Sequence, residues 1–231
     1  MISAAGLLTA AGLGLAPGET QDGHALRKLF VGSLFASICV LGMVAVLRPA
    51  PCYMAVGFRS RESRPPKGGK GCTVSVRRMV GHHPDCEAFS SHILRIWGRE
   101  VCAGCTGLFV GGLLALSLAI SYFLGAVTSL GNRMALVAGL AGVSFALLVL
   151  ALGCAYPWVR VLANASLAIG SFLVLAAVDA ARKDLYVDLL VLCIVIYWIM
   201  GRIMLSRLSH RLICSQCADP LCSLGTDYLP G

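Results

Sequence analysis

Charge is scarce in this sequence. Only 13% of its 231 residues are Asp, Glu, Lys or Arg, against roughly a quarter in soluble globular proteins. So few charges cannot cover a water-exposed surface, and an ordinary soluble domain is excluded. Acids are scarcer than bases, 11 against 19, and none falls near the middle of a long apolar run. A transporter driven by a carboxylate at the bilayer centre is therefore disfavoured, since a charge there costs about 2.5–3.5 kcal/mol. Also missing are a glycine-rich phosphate loop, a His-Glu-x-x-His helix and a Gly-x-Ser-x-Gly elbow, the readable signatures of three common enzyme chemistries. No Lys or Arg precedes the first apolar stretch, residues 1–18, which is rich in Gly and Ala rather than Leu. Both features argue for a weakly apolar membrane or interfacial segment over a cleaved signal peptide.

Long apolar runs are abundant. A helix needs about 20 mostly apolar residues to cross the ~30 Å hydrocarbon layer, and unpaired edges exclude open sheets there. Residues 29–47, 101–132, 134–159, 161–178 and a shorter 189–201 qualify; Asp188 and Arg202, flanking the last, can snorkel to the interfaces. The expected fold is an all-α polytopic transmembrane helix bundle with five spans, residues 1–18 being a candidate sixth. It divides into an amino-terminal segment 1–28, a first span 29–48, a basic loop 49–100, a four-helix core 101–206 and a Cys-rich tail 207–231.

Alternating spans put fourteen of the 19 Lys and Arg residues on the face that carries the 49–100 loop. Five remain for the other face: Arg27, Lys28, Arg133, Arg182 and Lys183. By the positive-inside rule the loop face is cytoplasmic, in a cell-membrane protein. The same face receives Cys52, Cys72, Cys86, Cys102, Cys105, Cys154, Cys214, Cys217 and Cys222. In a reducing compartment such thiols point to metal binding or thiol chemistry before structural disulfides. Cys39, Cys154 and Cys193 read as small buried hydrophobes.

Cys102 and Cys105 are three apart at a helix start, so both sulfurs can face one side, where the helix dipole favours thiolate. The tail repeats the spacing in Cys214-x-x-Cys217, with His210 one turn before Cys214 and Cys222 beyond. Between them, "GHHPDCEAFSSH" supplies His82, His83, Cys86 and His92. The expected metal ligands are Cys86, Cys102, Cys105 and one or both of Cys214 and Cys217, with His83 in reserve. Zinc is the default ion for such a set, and an iron–sulfur cluster uses the same ligands.

The run Cys102-Ala103-Gly104-Cys105-Thr106-Gly107, followed by "LFVGG", resembles the C-A-x-C-T-G motif of a family of small multi-pass membrane proteins defined only as a domain of unknown function. The likeness covers roughly residues 80–126. The order of His and Cys in "HHPDCEAFSSH" departs from the commoner form of that family and resembles an archaeal or otherwise divergent branch. The resemblance implies the membrane fold and the Cys/His stretch, and no reaction.

Residues 59–78 are basic, broken by Pro65 and Pro66, and poor in apolar side chains. They read as a topology determinant on a flexible loop, able to meet anionic lipid headgroups. Without aromatics for base stacking, no nucleic acid is expected. Asp179, Asp184 and Asp188 cluster with Arg182 and Lys183 and read as paired interfacial charges. Asn164 and Ser166 offer only weak polar handles. Gly107, Gly111, Gly112, Gly139 and Gly142 suit close helix packing within the chain. Three functions compete: a membrane protein stapled by a structural metal, a membrane thiol–disulfide oxidoreductase using Cys102 and Cys105, and a zinc-dependent membrane enzyme with Glu87 or Glu100 as base.

Overall fold

A computed structural model describes residues 2–15, 25–47, 79–80, 83–84, 87–127, 132–154 and 156–215. The basic segment 59–78, Cys86, and the tail beyond Ser215 with Cys217 and Cys222 lie outside the described residues. Six α-helices account for most of the rest: α1 (Ile2–Leu15), α2 (Ala25–Leu47), α3 (Ala103–Phe123), α4 (Arg133–Ala151), α5 (Pro157–Arg182) and α6 (Leu185–Ser215). From α2 onward, five helices are long and apolar enough to cross a membrane. The all-α bundle is thus the observed fold, with the composition of a multi-pass membrane protein. At 1.5 Å per residue α1 is about 21 Å long, short of the ~30 Å layer. It leans on α5 and α6 within the bundle, and Ala10 is fully buried.

Local chemistry sets the ends of these helices more tightly than the apolar runs do. Chain turns beyond Phe123 and Ala151 pass through Gly125 (φ 83°) and Gly153 (φ 64°), a left-handed backbone that glycine adopts freely. Asn132 caps α4 by accepting from the Ala135 amide at 2.8 Å, Pro157 opens α5 at a position where its missing N–H is harmless, and Asp184 accepts from the Tyr186 and Val187 amides at the start of α6. Spans expected at 101–132 and 134–159 are therefore trimmed to 103–123 and 133–151 by Gly and Pro. The short span expected at 189–201 grows to Leu185–Ser215, about 46 Å, because Asp188 and Arg202 are not its boundaries. Both turn inward instead of snorkelling: Asp188 is fully buried and Arg202 bonds to Asn164.

Helix α5 is the hub, buried along most of its length and packed on α3 and α4. Small residues permit this. A Cβ at Gly107 would collide with the Val161 carbonyl oxygen, and one at Gly111 with the Ala165 backbone, so α3 and α5 run parallel with their backbones in contact. Gly139 meets the Gly170 carbonyl of α5 in the same way, a Cβ there falling 2.8 Å from that oxygen. The glycines thus serve packing within the chain. Phe35, Phe172, Leu167, Leu175 and Trp198 fill the centre, while side chains such as Leu41, Leu113, Leu148 and Met204 face outward, as lipid contact requires.

Directly before α3 the chain forms elements that the apolar pattern does not announce. A 3-10 helix (Glu87–His92) leads into strands β3 (Ile93–Ile96) and β4 (Arg99–Cys102), paired antiparallel with Ile93 opposite Cys102. Upstream, β1 (Met79–Val80) pairs with β2 (His83–Pro84). The β3–β4 turn is Trp97-Gly98, both at positive φ (48° and 73°), the backbone a two-residue hairpin demands.

Candidate functional site

Strand β4 ends on Cys102, which is also the residue that caps α3, in extended conformation (φ −70°, ψ 122°) and with no side-chain cap bond. Each position of the Cys-Ala-Gly-Cys-Thr-Gly run then has a structural task. The Thr106 hydroxyl donates back to the Cys102 carbonyl at 2.9 Å, Gly107 lets α5 approach, and Gly104 faces a polar wall. A Cβ on Gly104 would lie 3.7 Å from Arg202 Nη2, 3.7 Å from Asn164 Nδ2 and 4.0 Å from Cys102 Sγ. Cys102 is buried, Cys105 half-buried, and their thiols are in hydrogen-bond contact with one another. The helix start therefore holds both sulfurs together, as the three-residue spacing requires.

The wall opposite is built by α5 and α6. Asn164, 1% exposed, donates to the Arg160 carbonyl at 2.7 Å and accepts from Arg202 Nε at 2.5 Å. Arg160 Nε in turn donates to the Cys154 carbonyl at 2.7 Å. Between this chain and Cys102 lies a cavity of about 20 Å³, lined by Cys102, Gly104, Arg160, Asn164, Arg202 and His92 among others. That is room for a water-sized species. Among the described residues no carboxylate pairs with Arg160 or Arg202, whereas Arg95 pairs with Glu100 at 2.9 Å on the hairpin surface.

His92 joins the same end from the 3-10 helix. It is 5% exposed, with its ring 5.9 Å from that of His210 on α6 and 5.4 Å from Phe89. Phe89 also stands 5.4 Å from His210. The continuation of α6 past Arg202 thus brings the far end of the chain to the segment preceding α3.

Of the expected ligands, then, Cys102 and Cys105 come together, and Cys214 follows His210 by one turn on α6. His83 sits in β2. Cys86 and Cys217 lie outside the described residues. Among the described residues no three His, Cys, Asp or Glu side chains form a group able to hold a metal. His92 and His210, outside the expected set, stand at the same end as the thiol pair. The reading of the three other cysteines as buried hydrophobes holds for Cys39 alone: Cys154 is half-buried and Cys193 is exposed on the outer face of α6.

No known protein family, curated protein or solved structure matches the chain. Its chemistry must be read from its own residues.

Three of those residues were undervalued in sequence. Asn164 is the hub of the polar wall, not a weak handle, and a lone amide in an apolar run is the signal for such a role, because lipid offers it no partner. Asp179 and Asp188 are paired, as expected, but fully buried, and not with Arg182 and Lys183 beside them in the sequence. Their partner is Arg27, more than 150 residues earlier in the chain.

Proposed function

We propose that this is an integral membrane protein in which a structural metal ion, zinc by donor chemistry, ties the loop and tail to the bundle at the Cys102–Cys105 pair. The observation that carries the reading is convergence. The start of α3, the segment preceding it and the end of α6 meet at one end of the bundle, although more than 100 residues of chain separate Cys105 from His210. Cys86 and one or both of Cys214 and Cys217 would complete the coordination, with His83 in reserve. Charge favours it as well. A zinc ion with four thiolates carries a net charge of about −2, and Arg160 and Arg202, lacking carboxylate partners among the described residues, stand beside the sulfurs to balance it. The surplus of basic residues in the sequence expected at this end favours a cytoplasmic location, where thiols stay reduced, and the basic composition of 59–78 suits contact with anionic headgroups. A Cys-Ala-x-Cys-Thr-Gly motif ties the chain by resemblance to a membrane family of unknown function.

A second reading is favoured by the hydrogen-bond contact between the two thiols: Cys102 and Cys105 exchange electrons with a disulfide partner, one sulfur attacking and the other resolving. One experiment separates the two. Full-length protein purified in detergent is expected to carry stoichiometric zinc or iron, and a Cys102→Ser variant to lose it. Metal-free protein whose two thiols oxidise and reduce reversibly overturns the metal reading in favour of exchange.

A further inference from the structure

The opposite end of the bundle encloses a second polar cluster, remote from the thiols, so that its role stands or falls independently of the metal. Four helices supply one side chain each: Arg27 from α2, Tyr122 from α3, Asp179 from α5 and Asp188 from α6. Both aspartates are completely buried, and the Arg27 side chain is 8% exposed. Arg27 Nη1 lies 2.6 Å from Asp179 Oδ1 and also pairs with Asp188 Oδ2. The Tyr122 hydroxyl stands 2.8 Å from Asp179 Oδ2 and 3.0 Å from the Ala176 carbonyl, to which it can donate.

Counting charge exposes a deficit. One guanidinium faces two carboxylates in an apolar interior, where a lone uncompensated charge costs several kcal/mol. The other ionisable groups at this end do not supply the missing cation. Lys28 Nζ sits 5.3 Å from the Tyr122 ring centroid, outside the cluster. Asp184 is committed to capping α6, Arg182 and Lys183 belong to the turn, Arg133 opens α4, and the described part of α1 has no ionisable side chain. A separate observation marks where the missing charge goes. Neither the buried Asp179 Oδ1 nor the buried Asp188 Oδ1 is satisfied by a hydrogen bond among the described residues, and both carboxyl groups contact one and the same nitrogen, Arg27 Nη1, which holds them side by side. Two carboxylates repel at that range, and a proton on one of them turns the contact into a hydrogen bond.

We propose that Asp179 and Asp188 form a binding site for one monovalent cation, a proton shared between the two carboxyl groups, which neutralises the cluster and fastens α2 to the bundle. The folded chain then holds a proton that the unfolded chain, with its carboxylates ionised at neutral pH, does not. Stability therefore falls as pH rises and the shared proton leaves.

Infrared spectroscopy of the full chain in detergent reads this directly. Wild type at neutral pH is expected to show a protonated-carboxyl C=O band that shifts in deuterated water. Asp179→Asn and Asp188→Asn should each abolish it, because the carboxylate that remains is balanced by Arg27. Raising the pH should remove the wild-type band and lower the melting temperature together, while the Asn variants melt independently of pH over that range. Should either variant fail to fold, the linked loss of band and melting temperature in wild type still decides. Absence of the band, with melting that depends on sodium against choline, makes the occupant a metal cation and overturns the proton. Absence of the band with no sodium dependence overturns the site altogether.

Discussion

The two ends of this bundle bury charge in opposite ways. At the start of α2, where Arg27 meets Asp179 and Asp188, carboxylates outnumber the cation, and the groups are sealed from solvent. At the start of α3, two guanidiniums without carboxylate partners among the described residues stand beside two thiols and a small cavity. A shared proton, as proposed, would balance the first end, which is closed. A metal–thiolate centre, as proposed, would balance the second, where the segment preceding α3 meets the end of α6. On these readings one end serves closure and the other ligation.

Removing the single cation of the closed end should have the largest effect on stability. Arg27→Ala leaves the ionised member of the buried carboxyl pair without its cation and is expected to lower unfolding free energy by about 3–5 kcal/mol, measured by denaturant unfolding in detergent. Acid should restore part of the loss by protonating it as well. A change below about 1 kcal/mol would remove the contrast between the ends.

Packing along the shared helix pair comes next. Gly107→Ala drives a methyl group into the Val161 carbonyl and is expected to cost about 1–3 kcal/mol. Gly104→Ala meets only ordinary contacts at 3.7 Å and should stay within about 0.5 kcal/mol, so the pair of variants separates close approach from mere helix propensity in the same thermal-melting assay.

Five spans and the helix start at the cysteines were legible in the sequence, because apolar length is a local signal; the run of the last helix through His210 and Cys214 was not, because the apolar stretch stops near Gly201. The hairpin before α3 was not. Its strands are four residues long, and Trp97-Gly98 is not among the commonest turn pairs. The Arg27–Asp179–Asp188 cluster was illegible for another reason: each acid has nearer basic neighbours, Arg182 and Lys183, and only the packing of α2 against α3 and α6 brings Arg27 to them. Arg202 and Asp188 looked like span boundaries because a charge in an apolar run has two solutions, reaching water or finding a buried partner, and the partner is a property of the fold.

A smaller effect sharpens the closed end. Tyr122→Phe removes the hydroxyl that faces Asp179 and the Ala176 carbonyl, with an expected loss of about 1.5 kcal/mol by the same unfolding assay. Less than half of that would mean the hydroxyl adds little to holding the acids.

Mapping cysteine alkylation by mass spectrometry, with and without chelator, tests the ligating end most directly. Cys102 and Cys105 are expected to resist alkylation together with at least one of Cys86, Cys214 and Cys217, and chelation should release all of them at once. Immediate, chelator-independent labelling of Cys102 and Cys105 would contradict a metal centre shared between distant parts of the chain.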